Sequence, residues 1–230
     1  MITNTSRSVL FATMVALLII TTLPANAQKW QPGRFTDVKG VKVSGFVRTN
    51  PGGSGPIKNE GFIEFKSDEK ANPYKLSASD LISFVAGKDS FVVAHAPGNE
   101  TWAKNDYDFV RVVINVPTKI YATRGAGSGG GGLHLSPGVG IGTGSYGSQY
   151  GGGLGISFGG GGGGKKSKMI YYYGGSTSTM QRITNENFID VMSEVMGDEP
   201  EVVDRIRNNL YNLGSMDKLI DYFKKVKASR

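Results

Sequence analysis

The chain has two histidines and no cysteine, and it has a close pair of aspartates, Asp106 and Asp108. Metal or hydrolytic chemistry would have to begin from these side chains. His95 follows an apolar run, whereas His134 lies inside glycine-rich sequence. A zinc site takes three or four ligands at recurring short spacings, and neither histidine has a second histidine or a carboxylate cluster at such a spacing. No metal and no cofactor is therefore expected. On a strand, Asp106 and Asp108 would share a face, as the carboxylate pair of a glycosidase requires. They flank Tyr107 in a polar run, however, where exposed acidic side chains are ordinary. Serines are plentiful, but no Gly-x-Ser-x-Gly stands where a strand would turn into a helix. Gly164-Lys165-Lys166-Ser167 approaches the ending of a phosphate loop without the helix that should follow. No catalytic residue is assigned. The alternative kept open is an envelope hydrolase with its carboxylate site near Asp106 and Asp108.

The stretch with the most unusual composition is 125–164. It carries no Lys, Arg, Asp or Glu, and more than half of its residues are glycine. Such composition ordinarily makes a flexible linker. Two runs inside it nevertheless follow the strand period of two. Val139, Ile141 and Thr143 alternate with glycines; Leu154, Ile156 and Phe158 alternate with Gly153, Gly155, Ser157 and Gly159. Folding the chain between Ser148 and Gln149 brings Thr143 to Leu154, Ile141 to Ile156 and Val139 to Phe158, all on one face of an antiparallel hairpin. Tyr146 and Tyr150 would flank its turn. The opposite face would be bare backbone, open to a partner or to a second copy of the chain. Glycines at every fourth position from Gly147 to Gly163 also match the spacing at which membrane helices approach. The segment lacks the roughly 20 apolar residues of a span, and its glycines disfavour a helix.

The first 27 residues have the form of a secretory signal: Arg7, an apolar core over 9–22, and Ala25-Asn26-Ala27 as a small-x-small cleavage site. No further apolar segment reaches the length of a membrane span. The absence of cysteine excludes disulfides and thiolate metal sites. The net charge of +7 includes Arg7; residues 28–124 carry +4 from 14 basic and 10 acidic groups, and residues 165–230 carry +2 from 11 and 9. The charges are interspersed, with no dense basic block of the kind nucleic-acid modules carry. Mild attraction to an anionic surface is expected, including peripheral contact with a membrane.

The remaining elements are those that would have to position any site. Short strands are expected at 41–47, 61–66, 74–76, 81–85, 91–94 and 109–116, separated by Gly/Pro turns. Residues 119–124 and 168–173 bracket the glycine segment and should pair, making it the grown tip of one hairpin. The run Tyr171-Tyr172-Tyr173 would send alternate rings to opposite faces. From Thr184 the period becomes helical: Phe188, Val191, Met192 and Val195 form one stripe, and Val202, Val203, Ile206 and Leu210 a second, capped by Asp198 with Pro200 in its first turn. Met216, Leu219, Ile220, Phe223 and Val226 form a third.

The succession Val43-Ser44-Gly45-Phe46-Val47, Gly61-Phe62-Ile63-Glu64-Phe65-Lys66 and Tyr74-Lys75-Leu76, with Ile170-Tyr171-Tyr172-Tyr173 and the helical tail, resembles uncharacterised exported β-rich proteins common in Bacteroidota-type bacteria. The resemblance implies an exported domain without established catalytic residues. The expectation is an α+β protein in five stretches: a signal peptide (1–27), a β-rich part (28–124), a glycine-rich hairpin insertion (125–164), a return strand (165–183) and a helical end (184–230). Its compact antiparallel sheet would be a sandwich or a partly rolled barrel, with the short helices packed on it. The expected role is a non-enzymatic binding or structural module of the cell envelope, periplasmic, outer-membrane-associated or extracellular. It would bind an envelope component or assemble with itself through Tyr146, Tyr150, Leu154, Ile156, Phe158, Tyr171, Tyr172 and Tyr173, with no nucleic-acid partner.

Overall fold

The structure, a computed structural model, describes residues 30–49, 51–98, 100, 102, 105–124 and 169–229. The signal-like leader lies outside these residues, as does the glycine-rich stretch with Tyr146, Tyr150, Leu154, Ile156 and Phe158. Ten strands form one antiparallel sheet. They are β1 (Gln31–Asp37), β2 (Lys42–Arg48), β3 (Phe62–Lys66), β4 (Tyr74–Ser77), β5 (Leu81–Ala86), β6 (Asp89–His95), β7 (Tyr107–Ile114), β8 (Lys119–Arg124), β9 (Met169–Gly174) and β10 (Gln181–Arg182). Their spatial order is β10-β9-β8-β7-β6-β5-β1-β2-β3-β4. Two meanders, β1 to β4 and β5 to β10, are thus joined where β1 lies beside β5.

No continuous ladder closes the sheet, but its β1–β7 part curls on itself. Glu60 forms a parallel bridge with Tyr107, and the Gly61 N–H donates to the Tyr107 carbonyl at 2.8 Å. The inside of this roll is a core of Phe35, Val47, Ile63, Phe65, Leu81, Phe84, Phe91 and Phe109. Phe84 stacks on Phe91 and meets Phe109 edge-on, with ring centroids 4.5 and 4.9 Å apart, the separations that aromatic quadrupoles favour. The roll needs strands to cross closely, and two glycines allow it. Gly33 and Gly45 face each other in the β1–β2 ladder. A Cβ on Gly33 would run into the Val85 carbonyl, and one on Gly45 into the Lys66 carbonyl and the Phe65 ring.

β1 departs from the strands expected from sequence. Pro32 and Gly33 read as turn residues, yet they lie in a strand flanked on both sides. Proline is tolerated because of where its missing N–H would point. The Pro32 carbonyl accepts from Gly87 in the β5–β6 turn at 2.8 Å, and the β1–β5 ladder begins only at Gly33.

The inner face continues beyond the roll onto β7, β8 and β9, and three helices cover it there: α1 (Phe188–Val195), α2 (Pro200–Arg207) and α3 (Met216–Ala228). Their apolar stripes bury Val113, Ile120, Ala122 and Tyr171 of the sheet together with Phe188, Met192, Ile206, Leu219 and Phe223 of the helices. Two details of the helical tail correct the sequence reading. Glu199 rather than Asp198 occupies the N-cap of α2. Leu210 lies past the end of α2 and is 64% exposed, because the helix ends at Arg207 before a turn in which Asn209 takes a positive φ of 58°. No helix among the described residues is long and apolar enough to cross a membrane.

β8 and β9 pair from Lys119↔Gly174 to Arg124↔Met169. Arg124 and Met169, the described residues on either side of the glycine-rich stretch, are thus directly paired, as the bracketing strands implied; the stretch itself lies outside the described residues.

Candidate functional site: a cationic groove on the outer face of the sheet

Side chains alternate across a strand, so the residues that do not enter the roll face outward. Across β1, β5, β6, β7 and β8 these include Arg34, Thr36, Ser83, Val85, Ser90, Val92, Val112 and Tyr121. With Lys42 and Lys119 they line a groove of about 730 Å³. The turn after β9 overhangs it with Gly175, Ser176 and Thr177. The floor is apolar and the sides carry hydroxyls. Among the described residues lining it, lysine and arginine are the only charged ones, with no carboxylate or imidazole.

The overhang is fixed at both ends. Lys119 Nζ donates to the Gly175 carbonyl at 3.1 Å, and Ser176 Oγ lies 2.8 Å from Ser178 Oγ and 3.1 Å from Thr179 Oγ1. Met180 is buried in a small outer core with Trp102, Val110, Tyr121 and Tyr172. Within that core Trp102 Nε1 donates to Tyr172 Oη at 2.9 Å, and Tyr172 Oη donates to Glu100 Oε2 at 2.6 Å. Arg182 Nη1 reaches Glu100 Oε1 at 3.6 Å. Burial and the Glu100 bond together hold the Tyr172 phenol protonated, well above the usual tyrosine range. These contacts tie the β6–β7 connection to β9 and β10 and so set the height of the rim.

The cations differ in their commitments. Lys119 is already bonded to the rim, whereas Arg34 and Lys42 are exposed and make no side-chain hydrogen bond or ion pair among the described residues. Three surface cations over hydroxyls and an amide (Asn115 also lines the groove) can hold a carboxylate, sulfate or phosphate oxygen and bond to neutral oxygens beside it. Among the described residues lining the groove, no hydroxyl has a histidine or carboxylate of the lining beside it.

A second groove of about 620 Å³ lies on the other side of the overhang, lined by His95, Tyr107 and residues 177–180. The His95 ring lies against Tyr107, tilted by 47° with ring centroids 3.7 Å apart, and its Nδ1 lies 2.8 Å from the Asp106 carbonyl. Asp106 is exposed. Asp108 is buried, and its carboxylate accepts from the Phe109 N–H at 2.8 Å and from Asn105 Nδ2 at 3.0 Å. Burial pushes the Asp108 carboxyl above the usual carboxylate range, against the pull of those two bonds. Asp106 and Asp108 thus occupy different surroundings, and neither lines either groove. His134 lies outside the described residues.

The tyrosine run does alternate. Tyr171 is buried against the helices, where burial and then the Asp217 carboxylate push its phenol up to about 12. Tyr172 is buried on the opposite face. Tyr173 is half-buried and donates to Gln181 Oε1 at 3.0 Å. Two of the three therefore present no ring to a ligand. The groove residues escaped the sequence reading because Ser83, Ser90 and Val112 are ordinary outward residues of ordinary strands. The available signal was a recurrence of small outward side chains with lysine or arginine and no acid.

Comparison with protein-family models, with curated proteins and with solved structures finds no match to this chain.

Proposed function

We propose that this protein is a non-catalytic binding module of a bacterial cell envelope, and that its outer groove holds a stretch of an acidic, hydroxyl-bearing polymer such as an acidic glycan. The signal-like leader ending at Ala27 supports export. The observation that carries the ligand class is the pairing of Arg34, Lys42 and Lys119 with Thr36, Ser83, Ser90, Ser176 and Thr177 in a groove without carboxylates. Cations answer the acidic groups of such a polymer, and hydroxyls answer its hydroxyls. The aromatic residues in the described lining are Phe84, Phe91 and Tyr121, and all three are buried. The stacking platforms of single-stranded nucleic-acid binders are therefore missing from this lining.

Magnitudes favour a polymer over a small anion. Each exposed charge contact contributes about 0.2–1 kcal/mol, and each neutral hydrogen bond about 0.5–1.5 kcal/mol net. After the cost of association this corresponds to a Kd of about 0.1–1 mM for a short oligosaccharide; useful retention then comes from many such stretches on one chain. Calorimetric titration with an acidic oligosaccharide and with its neutral counterpart tests the reading. The acidic one should bind in this range, weaken as salt rises, and lose most of its affinity in an Arg34→Ala/Lys42→Ala variant. Equal binding of the neutral and acidic sugars, or unchanged binding by the variant, would contradict it.

A further inference from the structure

The turn between β1 and β2 is built rigidly around side chains that cover nothing. Asp37 Oδ1 accepts from the N–H groups of Lys39 and Val41 at 2.9 and 2.8 Å. The Asp37 N–H donates to the Val41 carbonyl and the Gly40 N–H to the Asp37 carbonyl, each at 3.0 Å. Gly40 supplies the positive φ of 82° that the turn requires. The tip so fixed presents Val38 and Val41, 58% and 53% exposed, and Ile82 at the start of the neighbouring β5 is 51% exposed. The Val38 N–H donates to the Asp80 carbonyl at 3.2 Å, which keeps the turn against that strand start. Solitary exposed apolar side chains are ordinary. Three on one corner are less so, since they are three of the eight large hydrophobics exposed among the described residues.

Exposed cations surround this corner. Lys39, Lys42 and Arg34 make no side-chain hydrogen bond or ion pair among the described residues. The three carboxylates nearby are held by backbone N–H groups: Asp37 holds the turn, Asp80 Oδ2 accepts from the Ser77 N–H at 2.8 Å, and Glu60 Oε2 accepts from the Ser79 N–H at 3.0 Å. An apolar tip ringed by unpaired cations matches the layering of an anionic membrane surface, acyl boundary beneath headgroup phosphates.

We propose that the β1–β2 tip docks the protein on an anionic lipid surface, with Val38, Val41 and Ile82 entering the acyl boundary and Lys39, Lys42 and Arg34 meeting the phosphates. This placement would leave the groove, whose near end carries Lys42 and Ile82, opening beside the membrane. Arg34, Lys42 and Ile82 belong to both surfaces, so the test rests on Val38, Val41 and Lys39, which do not line the groove. Co-sedimentation of the full chain with phosphatidylcholine vesicles containing about one-third phosphatidylglycerol tests it. The protein should pellet with these vesicles and not with phosphatidylcholine alone, and added salt should reduce binding without abolishing it. Val38→Ser/Val41→Ser should lower the partition coefficient about tenfold or more, and Lys39→Gln by about fivefold. Neither substitution touches the groove lining or the core, and circular dichroism with the thermal midpoint confirms that each variant folds. Absence of binding, binding indifferent to the valines, or pelleting without vesicles through pairing of tips between copies would each overturn it.

Discussion

Asp108 and Gly33 are the positions where a single atom or charge decides most. Because the folded Asp108 carboxyl titrates above its unfolded value of 3.8, its favourable contribution is fully present below that value. It is lost as pH rises from about 4 through the higher folded value. Asp108→Asn should remove this loss, because Asn105 can turn its amide to accept from the new one. Thermal melts from pH 4 to 8 should show a flatter profile for Asp108→Asn, with a midpoint at pH 7 at or above wild type. Asp108→Ala should cost about 1–3 kcal/mol by stranding the Phe109 N–H and the Asn105 amide. Equal pH slopes for wild type and Asp108→Asn would contradict this account. Gly33→Ala places a methyl group against the Val85 carbonyl in the middle of the sheet. It should cost about 3 kcal/mol, or about 6–12 °C in Tm for a chain of this size; a midpoint within 2–3 °C of wild type, about the measurement spread, would mean that the strands do not cross this closely.

At the scale of elements, the sequence made the helices and most strands readable because their faces are one-sided. Phe188, Val191, Met192 and Val195 repeat at helical spacing and all four are buried. The strand signals likewise placed β2 to β9. β1 was not readable, since Pro32 and Gly33 carry turn propensities that only a crossing geometry overrides. The end of α2 was misread for the opposite reason: Leu210 keeps the apolar period but sits beyond a turn that periodicity does not register. The pairing of β8 with β9 was legible from their bracketing of the glycine run, and it carries a prediction. Replacing residues 125–168 with an Asn-Gly turn joins Arg124 to Met169 through a loop suited to a two-residue hairpin. The midpoint should stay within about 3 °C of wild type. A fall of more than about 8 °C would show that the insertion supports the core.

At the scale of the whole molecule, one face of a single sheet is buried in two ways, by rolling on itself from β1 to β7 and by helices from β7 to β9. Among the described residues, this leaves the opposite face uncovered over the groove, beside the small outer core of Trp102, Tyr121, Tyr172 and Met180. Alternation alone does not reveal which face another element covers, and for that reason the groove was not legible although each of its residues was. The central claim is that this uncovered face is where the protein meets an acidic polymer. The most direct test is to follow the backbone amides of the isotopically labelled protein by NMR as an acidic oligosaccharide is added. Shifts concentrated at Thr36, Ser83, Ser90, Val112 and Ser176, and absent with the neutral sugar, are the predicted result. Shifts confined to the His95–Tyr107 groove, or none at saturating oligosaccharide, would contradict the account.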